Sequence, residues 1–66
     1  MSIILNGAPA DRAATVADLV ERHLGRREPA GVAVAVNATV VPRDRWTAWP
    51  LRDGDVVDVV TAVQGG

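Results

Sequence analysis

The sequence predicts an α+β fold in which one amphipathic helix packs against one face of a mixed sheet of four to five strands. This prediction depends on three observations: a helical repeat of apolar residues within residues 16–24, strand-like alternation in residues 32–36 and 56–63, and turn residues between these segments. The chain has 66 residues, which is enough for one small hydrophobic core. Because 48% of the residues are hydrophobic, a folded domain is favoured over a disordered chain.

The N-terminal segment is predicted to form a β-hairpin. Residues 2–6 begin as a strand because they contain a run of β-prone residues, and Asn6-Gly7 is a strong signal for a two-residue turn. Residues 8–12 then form the returning strand. Pro9 has no N–H group to donate to a ladder, so this strand is expected at an edge of the sheet.

A helix is predicted to begin at Thr15, which is a good N-cap, and Asp18 completes an approximate capping box. Apolar side chains then recur at helical spacing along one face, at Val16, Leu19, Val20 and Leu24. Gly25 is expected to end the helix as a C′ residue, and Pro29 prevents the helix from resuming.

Residues 31–37 are predicted to form a strand in which valine and alanine alternate. The valines are expected to face the core, which leaves Ala33 and Ala35 on the thinly covered outer face of the sheet. Asn37-Ala38 is the expected turn, and residues 39–41 form a short returning strand.

The segment before the last strand is predicted to be less regular. Residues 43–49 are interpreted as an irregular or 3₁₀ turn, and Leu51 is expected to fill the core. Of the two tryptophans, Trp46 is predicted to be buried and Trp49 to be the more exposed. Residues 52–55 contain Asp-Gly and are interpreted as a second hairpin signal, in which the glycine supplies a positive φ.

Residues 56–63 are predicted to form the last strand. Asp58 is charged and is not expected on a face that packs against the helix. The face of the strand that lacks Asp58 is therefore expected to point at the helix. The side chains expected on that inward face include Val57 and Val59. Val60 and Ala62 then point outward and form an apolar patch that leads to the C-terminus.

The first and last strands are the most strongly predicted, and they are expected to lie side by side in the middle of the sheet. This arrangement of hairpin, helix and further strands is the β-grasp, or ubiquitin-like, fold. Residues 1–62 are assigned to the β-grasp domain, and residues 63–66 to a flexible tail that ends in Gly65-Gly66. Such a tail is either a frayed terminus or a thin arm, and four extended residues reach about 13 Å.

The composition excludes several classes of partner. Seven arginines are offset by eight acidic residues, and the formal net charge of −1 offers no basic surface for nucleic acid. No signal peptide is recognised, and the longest apolar run, residues 32–36, is too short to span a bilayer. A soluble, cytoplasmic protein that does not bind membranes is therefore expected.

Catalytic and metal-binding motifs are not recognised in the sequence. There is no cysteine and a single histidine, His23, so the chain cannot supply two metal ligands of these kinds. The position of His23 at the margin of the apolar helix face is more typical of a partly exposed side chain than of a catalytic base. No glycine-rich phosphate loop is present, so any nucleotide is bound by another protein. The chain is predicted not to be an enzyme and not to bind a metal.

Several short motifs follow one another in order: Val34-Ala35-Val36-Asn37, Val41-Pro42-Arg43 followed by Trp46, Leu51 with Asp53-Gly54-Asp55, and the ending Ala62-Val63-Gln64-Gly65-Gly66. In this order and at this length they resemble the ThiS family of thiamine-biosynthesis sulfur carriers, and the resemblance covers the whole chain. Two positions depart from the family pattern. Ala38 stands where glycine would fit the turn more easily, and Gln64 stands where many relatives have a small residue.

The resemblance implies a carrier that binds no cofactor itself and is a monomer when free. The Gly66 carboxylate is expected to be adenylated by an E1-like enzyme of the ThiF type, which uses ATP. A sulfur donor such as a cysteine desulfurase then supplies sulfur for a thiocarboxylate at Gly66. A thiazole synthase of the ThiG type takes that sulfur for the thiazole ring of thiamine. The resemblance also implies that Gly65, which has no side chain, keeps the chain next to Gly66 narrow so that the enzymes can reach it.

The partners need a surface to hold, and the outer face of the sheet is the expected one. It is small or aliphatic and leads directly into the tail, which is typical of a docking site. One of two arginines, Arg43 or Arg52, is expected at its rim. The predicted docking residues of the sheet are Ala33, Ala35, Val60 and Ala62.

The sequence leaves several other functions open. The molybdopterin-synthase small subunit has the same tail chemistry, although such chains are typically longer and richer in proline before the tail. A sulfur carrier for tRNA thiolation or cysteine synthesis is a second alternative. A ubiquitin-like modifier that forms isopeptide bonds and a plain interaction domain are the others.

Overall fold

The computed structural model describes residues 2–26 and 30–61 and has a five-stranded mixed sheet with one α-helix, which confirms the predicted fold class. The helix α1 spans Val16–Leu24, and a short 3₁₀ helix spans Arg43–Ala48. The strands are β1 (Ser2–Leu5), β2 (Ala8–Asp11), β3 (Val32–Val36), β4 (Thr39–Val41) and β5 (Val56–Thr61).

The strands lie in the order β2-β1-β5-β3-β4, so β5 is central and β2 is at an edge as predicted. The β1 and β5 strands are parallel, with Ile4 beside Val56 and Leu5 beside Val57. The other neighbouring pairs are antiparallel. The prediction that the first and last strands are neighbours in the middle of the sheet is confirmed.

Both hairpins turn through two residues with positive φ. The central residues have φ angles of 51° at Asn6 and 83° at Gly7, and of 50° at Asn37 and 71° at Ala38. These values fit type I′ turns, whose twist matches that of the strands they join. The prediction of both turns is confirmed, and Ala38 occupies a conformation that glycine adopts at lower cost.

The helix has the predicted ends. Thr15 Oγ1 accepts a hydrogen bond from the Asp18 N–H at 3.2 Å. At the other end Gly25 has φ 79°, and its N–H donates to the Glu21 carbonyl at 2.8 Å. Pro29 lies outside the described residues. The apolar face of α1 is buried at Val16, Ala17, Leu19 and Val20 and half-buried at Leu24.

The core lies between α1 and the inward face of the sheet. Trp46 is 1% exposed, and its Nε1–H donates to the Val41 carbonyl at 3.1 Å. Leu51 is also buried, and Trp49 is half-buried against the core. The predicted burial of Trp46 and Leu51 is confirmed. The other buried hydrophobic residues outside the helix are Ile3, Val34, Val36, Val41, Val57 and Val59.

The prediction of a hairpin at residues 52–55 is wrong. The segment is a turn, closed by hydrogen bonds from the Asp55 N–H to the Arg52 carbonyl at 3.1 Å and from the Arg52 N–H to Asp55 Oδ2 at 2.8 Å. The residue before it, Leu51, donates its N–H to the Ala14 carbonyl, and the strand after it pairs with β1 and β3. An Asp-Gly pair favours any turn that needs a positive φ, whereas a hairpin also requires the flanking segments to pair with each other.

Candidate functional site

The strand that leads to the C-terminus is held at the centre of the sheet. Two inward side chains of β5, Val57 and Val59, are buried in the core. Thr61, its last residue, lies opposite Val32 at the start of β3. The described part of β5 therefore ends at the end of the sheet where β3 begins. The predicted tail and patch residues Ala62, Gln64, Gly65 and Gly66 lie outside the described residues.

The outward side of the sheet brings together three of the predicted docking residues. Ala33 lies opposite Val60, and Ala35 lies opposite Asp58 on the same pair of strands. Val60 is 61% exposed. We use the term outer face for the outward side chains of β1, β5, β3 and β4: Ser2, Ile4, Ala33, Ala35, Val40, Val56, Asp58 and Val60.

Two exposed valines of the outer face were not among the predicted site residues. Val40 is 70% exposed and lies opposite Ala35, whereas Val56 is 44% exposed and lies beside Ile4. The signal for Val40 was present in the sequence. A two-residue turn at Asn37-Ala38 fixes the β3–β4 register, and this register puts Val40 on the same side as Ala35.

The two arginines predicted at the rim lie at opposite ends of the sheet. Arg43 follows β4, which runs towards the same end as Thr61, and its guanidinium lies 4.7 Å from the centre of the Trp46 ring. Arg52 precedes the turn that leads into β5 and therefore lies near the other end. The strand between the two ends is roughly 16 Å long at about 3.3 Å per residue. The structure therefore brings Arg43, but not Arg52, to the end of the sheet where Thr61 lies.

An open depression of about 460 Å³ lies at the end of the sheet that carries Arg52. Its walls include Trp49, Thr39 and Asp55, and Asn37 Nδ2 donates to Asp55 Oδ1 at 3.1 Å. Thr61 lies at the opposite end of β5 from this depression.

The remaining predictions concern catalytic and metal sites. His23 is exposed near the C-terminal end of α1. Within residues 2–26 and 30–61, no group of three or more His, Cys, Asp or Glu side chains is placed to hold a metal ion. The same residues include no helix that is both long and apolar enough to cross a membrane. The notable features of the described site are thus an exposed apolar face and the strand that leads from it to the C-terminus.

Comparison with known proteins gives consistent similarities over the whole chain. A family model described as the ThiS family matches residues 3–66. The sulfur carrier protein ThiS of Escherichia coli K12 is 37% identical over 68 aligned positions, which cover 100% of both chains. The solved structure of the thiamine biosynthesis protein ThiS from Geobacter metallireducens has a TM-score of 0.77 and 30% identity, again over 100% of both chains. The family match includes the C-terminal Gly65-Gly66 as well as the sheet.

Proposed function

The chain belongs to the ThiS family, and from this we propose that it is a sulfur carrier in thiamine biosynthesis. The observation that carries the proposal is the family match, which extends to the last residue, Gly66. The geometry supports it because the central strand of the sheet leads to that residue past an exposed apolar face. The chain acts as a cosubstrate of other enzymes and is not itself a catalyst.

The chemistry takes place at the Gly66 carboxylate. A carboxylate is a poor acyl donor because its charge repels nucleophiles and oxide is a poor leaving group. An E1-like adenylating enzyme of the ThiF type removes both obstacles. One carboxylate oxygen attacks the α-phosphorus of ATP and pyrophosphate leaves, which gives an acyl adenylate. Hydrosulfide then displaces AMP and leaves a thiocarboxylate. When the donor is the persulfide of a cysteine desulfurase, its outer sulfur displaces AMP to give an acyl disulfide, and a thiol reduces this disulfide to release the thiocarboxylate.

The thiocarboxylate sulfur is a nucleophile that cannot diffuse away from its carrier. A thiazole synthase of the ThiG type takes this sulfur for the thiazole ring, and an oxygen atom from water or from the substrate of the synthase replaces it to restore the Gly66 carboxylate. The displacement of AMP occurs at the carbonyl carbon of Gly66, where a neighbouring side chain would crowd the nucleophile. Gly65 therefore serves to keep the approach open, and Gln64 contributes to the fit of the arm in each partner. Because the activating step consumes ATP, we assign the reaction to the cytoplasm.

The outer face is the proposed docking surface for these enzymes. Its exposed aliphatic side chains are those of Ala33, Val40, Val56 and Val60. Their burial against a partner would stabilise a complex. Arg43 lies at the end of the sheet where Thr61 lies, so a partner that holds the tail is able to contact it. Arg52 would be reached only by a partner that covers the full length of β5.

Reconstitution of thiazole formation tests the pathway. The full chain is incubated with ATP, the ThiF-type enzyme, hydrosulfide, the ThiG-type synthase and the carbon substrates of that synthase. We expect thiazole to form with the full chain and not with a chain that lacks Gly66. A full chain that acquires sulfur but supports no thiazole formation would assign the carrier to another pathway. Equal thiazole yield with and without Gly66 would contradict the assignment of the chemistry to the tail.

A further inference from the structure

Asp58 is the one charged side chain of the outer face, and its neighbours along β5 and on β3 are aliphatic. It is exposed near the middle of β5, with Val56 and Val60 two positions away on the same side of the strand. Directly opposite on β3 is Ala35, beyond which Val40 follows on β4. A carboxylate therefore interrupts an apolar stretch of the outer face.

The described chain does not neutralise this carboxylate. The Asp58 side chain makes no hydrogen bond or ion pair within residues 2–26 and 30–61. The five strands contain two acidic residues, Asp11 and Asp58, and no arginine or histidine. The described cations lie instead on α1, on the 3₁₀ helix and in connecting segments: Arg12, Arg22, His23, Arg26, Arg43, Arg45 and Arg52.

Several of these cations are already engaged away from the outer face. Arg12 Nη1 donates to the Leu51 carbonyl at 2.9 Å, and Arg22 Nη2 donates to the Asp11 carbonyl. Arg43 lies over the Trp46 ring. Within the described chain, no cation on the outer face is available to pair with Asp58 when that face is covered.

We propose that the outer face docks on a surface of the adenylating enzyme that is apolar but presents one arginine or lysine opposite Asp58. This inference rests on the proposed function, which supplies that enzyme as the partner. Covering the face takes the Asp58 carboxylate out of water, and a buried carboxylate without a cation or hydrogen-bond donor is strongly unfavourable. Since the described chain provides no cation there, the partner must provide it.

The shape of the face supports a long cationic side chain as the occupant. Ala33 and Ala35 are small, so they leave a shallow track beside Asp58 between the larger Val60 and Val40. The aliphatic stem of an arginine or lysine is able to lie along this track while its charged head reaches the carboxylate. Asp58 is thus a specificity-determining residue: it favours a partner with a cation at this point and disfavours a purely apolar or acidic one.

The alternative explanation is that Asp58 only keeps an exposed sheet from associating with other copies. The two explanations differ in what a charge change does to binding of the enzyme. The full chain and its variants Asp58→Asn and Asp58→Arg are titrated into the ThiF-type enzyme of the same organism, and Kd is measured by calorimetry. Asp44→Arg is the matched control, since Asp44 is exposed on the 3₁₀ helix and the charge change is the same.

We expect Asp58→Asn to raise Kd roughly tenfold and Asp58→Arg to raise it roughly a hundredfold or more. The Asp44→Arg control stays within about twofold of the wild-type Kd because an exposed charge outside the interface has little effect. Added salt is expected to weaken binding of the wild type more than binding of Asp58→Asn. Circular dichroism melts verify that each variant is folded, and the exposed position of Asp58 makes both substitutions tolerable.

Wild-type Kd for Asp58→Arg, or the absence of binding by the wild-type chain, would overturn the inference. Thiocarboxylate formation is measured in the same samples with ATP and hydrosulfide, and this second reading separates the two proposals. Binding that depends on Asp58 without any thiocarboxylate would contradict the sulfur-carrier function and leave the docking inference standing. Thiocarboxylate formation at an unchanged KM for Asp58→Arg would support the sulfur-carrier function and contradict the docking inference.

Discussion

The side chain of Asn6 is hydrogen-bonded to both backbone groups of Val59, 53 residues further along the chain. The Val59 N–H donates to Asn6 Oδ1 at 2.8 Å, and Asn6 Nδ2 donates to the Val59 carbonyl at 3.2 Å. The parallel register of β1 and β5 ends just before this point, where Leu5 lies beside Val57. The Asn6 amide therefore acts like one more residue of the ladder and holds β5 close to its last described residue, Thr61.

Replacement of Asn6 is expected to destabilise the domain through this pair of bonds. We expect Asn6→Ala to lower the free energy of unfolding by about 2–3 kcal/mol, because both bonds are lost and alanine is unfavourable at positive φ. Asn6→Gly separates the two effects, since glycine accepts the φ angle and lacks the amide. Urea denaturation is the measurement. Wild-type stability of Asn6→Gly would show that the side-chain bonds contribute nothing.

Among the described residues with positive φ, Ala38 is the only one that is neither glycine nor asparagine. It has φ 71° in the β3–β4 turn, where a Cβ atom is unfavourable. We expect Ala38→Gly to raise the free energy of unfolding by about 0.5–1 kcal/mol, since the relief of strain is offset in part by the greater freedom of the unfolded chain. The matched control, Ala35→Gly in the adjacent strand, is expected to be destabilising. A lower melting temperature for Ala38→Gly than for the wild type would refute this reading of the turn.

Trp46 combines burial with a hydrogen bond that phenylalanine cannot make. Trp46→Phe removes the Nε1–H donor from the Val41 carbonyl and leaves unfilled space, so we expect a loss of about 2–4 kcal/mol in unfolding free energy. Trp49→Phe is the control, because Trp49 is only half-buried, and a loss below about 1 kcal/mol is expected. Equal losses for the two variants in chemical denaturation would contradict the distinction between them.

The proposed chemistry makes the size of residue 65 important for activation. We expect Gly65→Val to lower kcat/KM for ATP-dependent thiocarboxylate formation roughly tenfold to a hundredfold, because the branched side chain misplaces the reacting carbonyl. Gln64→Ala, one residue earlier, is expected to have a much smaller effect. Unfolding free energies are measured in parallel to show that neither change acts through stability. Full activity of Gly65→Val would argue against a narrow site around the tail.

Local patterns were sufficient to predict the elements of this fold. Asn6-Gly7 predicted a hairpin, Thr15 and Gly25 predicted the ends of the helix, and the alternation around Val34 predicted which side chains face the core. These features depend on residues close in sequence, for which conformational preference and periodicity are informative. The Asp-Gly pair before β5 had the same local signal, but it could not reveal which strands would pair.

The relationships across the sheet were harder to predict because they depend on assembly. Nothing near Asn6 indicates that its amide binds Val59, since that contact exists only once β5 lies beside β1. The separation of Arg43 and Arg52 likewise follows from the direction in which each strand runs. The outer face was predicted only in part. The outward position of Val40 depends on the β3–β4 register, which is set by the turn that precedes its strand.

The central claim is that the chain carries sulfur on its last residue, and intact-mass spectrometry tests it most directly. The full chain is incubated with ATP, the ThiF-type enzyme and hydrosulfide, with a chain that lacks Gly66 as the control. The account predicts a mass gain equal to the exchange of one oxygen atom for one sulfur atom, located at Gly66 by fragmentation and absent from the control. An unchanged mass for the full chain, or sulfur located at any other residue, would contradict it.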